Sequence, residues 1–390
     1  MGISLTEQTL LYLLNCAVNE RTPETLPADV DFEELDRLSR FHSVTAMVSW
    51  ALDKGGYLTE QYMSKEMIQK WASARINAMR KNIMFDAERE QILRYMEAHG
   101  IWYMPLKGVI LKEMYPDVGM REMCDNDILF DSTYRKQMRD YMVGRGYDAK
   151  EFQKHIADEY LKKPIYNFEL HTKLFNENLY GHWAEYYENV KEILCKDDEN
   201  QYGYHLSKED FYIYMNVHAC KHYESCGTGI RTFLDTFVYL KKEKNRMNWE
   251  YIDSKLEVLQ VKKYEEFAKE FAARLFDEKK CFADLKTNED DMLDDFQYIL
   301  HAGTYGTMHN KIKRELGVQN EEQGKISKLS KMKFGLRRLF PGLDYMKNFY
   351  PFLYKHRVLI PFFWMYRLLT APIVNRKRVF KEIRTLIDLK

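Results

Sequence analysis

Apolar residues recur at three- and four-residue spacings from Leu5 to about Glu97, as at Leu10, Leu11 and Leu14 and again at Ile68, Trp71, Ile76 and Met79. That is the period of helices buried along one face. The pattern predicts an opening helical lobe over residues 1–98. It then changes. "IWYMPL" (101–106) is a short apolar run that reads as a strand, "VILKEMY" (109–115) as one or two helical turns, and "DNDILF" (125–130) as a strand again. "STYRKQMRDYMVGRG" predicts a helix ending at glycine, and "YDAKEF" a weak strand or loop. "KPIYNFELHTKLF" reads as a strand with Phe168 and Leu170 on one face and Glu169 and His171 on the other. Helical spacing returns from Ser207, through "SKEDFYIYMNVHACKHY", "GIRTFLDTFVYLKKEK" and "MNWEYIDSKLEVLQ". Ser207 followed by Asp210 resembles a capping box.

Alternation of strand and helix between runs of helices predicts a small α/β unit at 99–205 inside an otherwise helical chain. A helical lobe at 206–308 would complete a cleft with it. The stretch 309–335 is rich in charge and poor in core residues, so it reads as a polar linker or mobile loop before a helical tail at 336–390. A length of 390 residues favours two or three packed units.

Composition narrows the function classes. The 59 basic and 59 acidic residues cancel, which argues against affinity resting on a global positive field. Six cysteines are scattered without a CxxC pair and no secretory leader is legible at the start, so a reducing cytoplasm fits best. The apolar run "VLIPFFWMYRLLTAPIV" (358–374) is broken by Pro361, Arg367 and Pro372. It falls short of the roughly 20 residues a spanning helix needs, so no transmembrane segment is expected.

Candidate chemistry concentrates at 103–131. On a strand, Asp125 and Asp127 would stand side by side with Asn126 turned away. Two carboxylates so placed repel and raise one pKa, whereas a divalent cation such as magnesium removes that cost and couples the pair to phosphate. Lys107 and Gly108 precede a predicted helix whose first N–H groups could seat a phosphate. Arg121 could reach the same anion with its fork of donors. His218 and His222 lie one helical turn apart near Cys220 and Cys226, a spacing that can bind zinc, although no glutamate follows His218 to make a zinc-protease motif.

The ordered run "LKGVILKEMYPDVGMREMCDNDILF" resembles the signature of the uncharacterised bacterial nucleotidyltransferase family within the DNA polymerase beta superfamily. "FELH" (168–171), "HACKH" (218–222), "GIRTFLD" (229–235) and "LFPGLDYMKNFYP" resemble its later segments. The resemblance implies an α+β fold, a small mixed β-sheet flanked by N-terminal and C-terminal helical lobes. It implies that Asp125 and Asp127 hold magnesium, two ions with manganese as a substitute, and that an acid on a neighbouring strand completes the site. Glu169 is the candidate, as metal ligand or as general base. His171 would support the site or make a structural hydrogen bond. Lys107, Gly108 and Arg121 would hold phosphate, while His218, His222, Arg231 and Asp235 would line the cleft or simply pack. The implied reaction moves a nucleoside monophosphate from a nucleoside triphosphate to a hydroxyl of an acceptor, which could be a small molecule, sugar, protein or RNA. The superfamily more usually carries Gly-Ser or Gly-Gly where this chain has Lys107-Gly108. That departure keeps two alternatives open, a catalytically inactive nucleotide-binding module and a toxin-like transferase acting on transfer RNA. Aromatic and basic residues alternate in the tail, which suits either peripheral contact with a membrane surface or packing on the catalytic lobe.

Overall fold

Near the N-terminus, helix α1 (Leu5–Val18) opens with a reciprocal cap: Ser4 Oγ accepts from the Glu7 N–H at 3.2 Å, and Glu7 accepts from the Ser4 N–H at 2.7 Å. Almost every residue of α1 is buried, because α2 (Phe32–Phe41), α3 (Thr45–Lys54) and α11 (Lys262–Phe276) surround it. Its buried amides are satisfied: Gln8 donates to the Phe282 carbonyl at 2.7 Å, and Asn15 donates to the carbonyls of Leu275 and Asp277 at 2.8 and 2.9 Å, closing the end of α11. The computed structural model describes residues 3–150, 152–285, 293–304, 306–307, 310–312, 316, 328–374, 381–382 and 384–386. Most of the expected linker at 309–335 lies outside the described residues.

Two compact units divide the chain. One comprises Met1–Cys220 with Gly229–Leu293, the other Lys221–Thr228 with Asp294–Lys390. In the first, the long helix α4 (Lys65–Ala98) joins the helical lobe to the sheet: α3 packs against it, and Ile92 and Met96 enter the core beneath the strands. The lobe and the sheet therefore share a helix.

The sheet has the order β1-β2-β5-β4-β3, with β1 at Tyr103–Pro105, β2 at Asn126–Phe130, β3 at Asp148–Lys150, β4 at Ala157–Lys162 and β5 at Tyr166–His171. All pairings are antiparallel except β2–β5, which runs parallel and makes the sheet mixed. Helix α5 (Lys107–Lys112) links β1 to the segment before β2, and α6 (Arg135–Gly144) follows β2. One sheet face is apolar. Ile128, Phe130, Tyr160, Phe168 and Leu170 meet Ile92 and Met96 from α4 and Met138 and Met142 from α6 in one core. Period-two alternation then turns Asp127, Glu169 and His171 to the other face.

After α7 (Gly181–Tyr186), a small hairpin of β6 (Leu194–Lys196) and β7 (Tyr204–Leu206) joins the edge of the sheet, where the Tyr103 N–H donates to the Tyr202 carbonyl at 3.0 Å. Helices α8 (Lys208–Ser225), α9 (Ile230–Glu243) and α10 (Trp249–Val258) follow. Ser207 caps α8: its Oγ accepts from the Asp210 N–H at 3.0 Å and donates to the Asp210 carboxylate at 2.7 Å. Further helices occupy Leu293–Leu300, which begins at the last residue of the first unit, and, in the second unit, Lys328–Leu339, Leu343–Phe349, Pro351–Lys355 and Ile360–Val374. No helix among the described residues is long and apolar enough to cross a membrane, and none of the six cysteines forms a disulfide.

Candidate active site

Parallel pairing sets the site. In register, Asn126 lies opposite Phe168, Asp127 opposite Glu169, and Leu129 opposite His171. Carboxylates from two strands thus share one spot on the sheet's polar face. His171 Nε2 stands 3.1 Å from Asp127 Oδ1 and 3.6 Å from Glu169 Oε2. One donor atom from each of these three residues falls within 4.8 Å of the others, the only grouping of this kind among the described residues.

Asp125 precedes the strand and stands outside that close set, although its charge is felt there. Burial and the neighbouring charge of Asp127 raise its pKa, against the pull of Arg231, Lys107 and Arg121. Burial and Asp127 also push the Glu169 carboxyl up to about 7, opposed by His171 and reinforced by Asp125 and Glu159. Crowding of like charge under partial burial disfavours a fully ionised site, and a divalent cation would relieve it. Oxygens from Asp127 and Glu169 suit a hard cation, and the His171 nitrogen, already bonded to Asp127, can orient that carboxylate or join the ligands. The donor set therefore fits a divalent cation.

Between the strands, Asn126 turns into the core, where Arg89 of α4 donates to its Oδ1 at 3.1 Å. The chain from Glu113 to Asp125 is tied down at several points. Asp117 receives Arg75 of α4 at 2.8 Å, the Ala46 N–H donates to Glu122 at 3.0 Å, and Arg231 donates to the Glu122 carbonyl at 3.0 Å. Gly119 has φ +89°, and a side chain there would meet the backbone of Met79 at 2.8 Å, so only glycine fits this crossing of loop and helix.

Arg121, expected to hold phosphate, is engaged by a carboxylate of this chain. Its Nε and Nη2 donate to the two oxygens of Asp235 at 2.8 and 2.9 Å, and Nη1 turns to the Gly108 carbonyl and the Met123 sulfur. Tyr115 adds a third donor to Asp235 at 2.8 Å. Burial opposes ionisation of Asp235, but the Arg121 and Arg231 guanidinium groups hold its carboxyl below the usual range. Arg121, expected on phosphate, and Asp235, expected to line the cleft or pack, pair as a buried clamp between the loop and α9. Gly108 has a packing reason as well, since a Cβ there would lie 3.0 Å from the Met123 methyl and 3.4 Å from Arg121 Nη1.

Lys107 begins α5, whose N-terminus has no side-chain cap, and its Nζ lies 2.6 Å from His218 Nδ1 on α8. His222 belongs to the second unit. Two further residues approach the cluster unforeseen. Glu159 of β4 pairs in register with Glu169, and the buried Tyr214, one turn before His218 on α8, has its pKa raised by burial and by the charge of Asp127. Recognising "ADEYLK" as a strand would have found Glu159, and the i, i+4 spacing to His218 was the signal for Tyr214. A depression of about 640 Å³ lined by Glu33, Arg37, Ser64, Glu66, Met67, Gln69, Lys70 and Ser73 contains none of the candidate residues.

Neither the curated proteins nor the solved structures include a match to the chain. A family model described as an uncharacterised nucleotidyltransferase matches residues 28–277, which takes in all of the sheet, the Asp125–Asp127 segment and helices α8 and α9. With a mixed sheet carrying paired acids on its polar face, and a family match over more than half its length, the chain belongs to the family of uncharacterised nucleotidyltransferases.

Proposed function

We propose that the protein is a magnesium-dependent transferase that moves a nucleoside monophosphate from a nucleoside triphosphate to an acceptor hydroxyl. The observation that carries this reading is the in-register pairing of Asp127 with Glu169, with His171 within 4.8 Å of both. Asp127 and Glu169 are the residues that would hold divalent cations, with Asp125 close enough to share their charge. When bound, such cations neutralise the triphosphate and lower the pKa of the attacking hydroxyl.

This chain's own side chains supply orientation and charge. Lys107, beside His218 at 2.6 Å, would meet the departing phosphates. Arg121 acts through Asp235, holding the loop that carries Asp125. In the transfer, the acceptor oxygen forms a bond to the α-phosphorus as the bond from that phosphorus to the bridging oxygen breaks. Pyrophosphate leaves with the bonding electrons, and the hydroxyl proton passes to solvent or, if Glu169 serves as base and not as ligand, to its carboxylate. The polymerase beta superfamily resemblance of the motif supports the same chemistry.

Incubation of the purified protein with labelled nucleoside triphosphates, magnesium and a cell extract tests the proposal. Labelled product and pyrophosphate that disappear in Asp127→Asn are the expected result. Folded protein that yields no product with any nucleotide or metal overturns it.

A further inference from the structure

Fifteen of the 23 large apolar side chains that stand exposed among the described residues fall between Leu329 and Leu369. Charge is as unevenly placed. The whole chain balances 59 basic against 59 acidic residues, yet from Lys328 to Val374 nine lysines and arginines stand against one acid, Asp344.

Helix Ile360–Val374 shows how the two features combine. Phe362, Met365, Tyr366 and Leu369 follow one another at helical spacing and are 63, 56, 61 and 68% exposed. They form one continuous apolar stripe facing water. The opposite side is anchored: Ile360 is buried, Trp364 donates to the Pro341 carbonyl at 3.2 Å, and Arg367 donates to the Arg338 carbonyl at 3.3 Å. Helix Lys328–Leu339 repeats the arrangement, with Leu329, Met332, Leu336 and Leu339 exposed while Phe334 points inward. In the same segment Lys333, Arg337, Lys347, Lys355 and Arg357 are exposed, and Val358, beside Arg357, is 82% exposed.

We propose that the apolar stripe of helix Ile360–Val374, together with the exposed basic residues of this segment, docks on an anionic lipid bilayer. Nucleic acid would answer the positive charge but gain little from Leu, Met and Val side chains, since its ligands there are phosphates and stacked bases. A second copy of the chain would answer the apolar stripe but set like charge against like. A bilayer with acidic headgroups answers both, taking lysine and arginine at the headgroup layer and the stripe at the acyl boundary. Helix Ile360–Val374 has 15 residues, short of the roughly 20 that span a bilayer, so it lies along the surface. This assignment is independent of the transfer reaction.

Flotation of the full chain with vesicles tests it, comparing phosphatidylcholine alone with phosphatidylcholine mixed with phosphatidylglycerol. Binding to the mixed vesicles only, weakened by added salt, is expected. The double variants Phe362→Ser/Leu369→Ser and Lys355→Glu/Arg357→Glu should each lower the partition on the order of tenfold. Thermal melting of both variants checks their folding, and since the pairs are separate in sequence, either alone reads the surface. Absence of flotation, equal partition of parent and variants, displacement of the vesicles by single-stranded RNA, or a lipid-free dimer broken by the apolar variant would each overturn the proposal.

Discussion

Asp127 and Glu169 lie directly opposite one another on the parallel strands β2 and β5, bridged by His171 at 3.1 and 3.6 Å. Asp127 is the carboxylate closest to His171 and the charge that acts most strongly on Glu169. Asp127→Asn should lower nucleotide transfer at least about 100-fold while leaving the melting temperature within a few degrees of the parent. Product formation and thermal melting, measured on the same preparation, check the pair of outcomes.

Glu169 should give metal-free protein an unusual pH dependence. Its folded pKa, about 7, lies above the ordinary 4.5, so between those values the folded state binds more protons than the unfolded. Stability therefore falls as pH rises through that window. With its side chain 35% exposed, solvent screening limits the effect to about 1 kcal/mol. In chelator, Glu169→Gln should be the more stable form at pH values above the window and lose that advantage below it. Chemical denaturation across the range reads the crossing, and added magnesium should stabilise the parent above the window.

The Arg121–Asp235 pair makes a prediction of a different kind. Leaving the buried Arg121 without its carboxylate should cost about 3–5 kcal/mol, seen as a large drop in melting temperature for Asp235→Ala. A nucleotide ligand in the same position would instead raise the KM for nucleotide at nearly constant stability. Melting and steady-state kinetics on the one variant separate clamp from ligand.

Lys107 should behave oppositely. Its head meets His218 across the site, and Lys107→Met should weaken nucleotide binding about 10–100-fold through loss of one charge-assisted contact. Calorimetry with a nonhydrolysable triphosphate and magnesium measures it. Unchanged affinity would assign the lysine to packing alone.

Much of this arrangement was legible in the chain. Alternation at Phe168-Glu169-Leu170-His171 places two residues in the core and two at the site, as the burial of Phe168 and Leu170 bears out. The two acids at 125 and 127 were visible, and so was a short helix near Lys107-Gly108, which begins at Lys107 itself. Hidden from a one-dimensional reading was which strands become neighbours. β4 carries Asp, Glu and Lys among its six residues and looks polar, yet its place between β3 and β5 brings Glu159 beside Glu169. The partner of Arg121 was hidden for a related reason. The arginine's donor fork suits phosphate and carboxylate equally, and Asp235, more than a hundred positions away, was indistinguishable from any other helical acid until α9 packed against the loop.

Slide β5 by a single position against β2 and Phe168 would point at solvent while Glu169 was driven into oil. Greasy neighbours beneath the strands thus act as the ruler for the charged groups above them. Errors in that buried layer would surface as misplaced carboxylates, so damage to catalysis can originate from side chains that never meet a substrate.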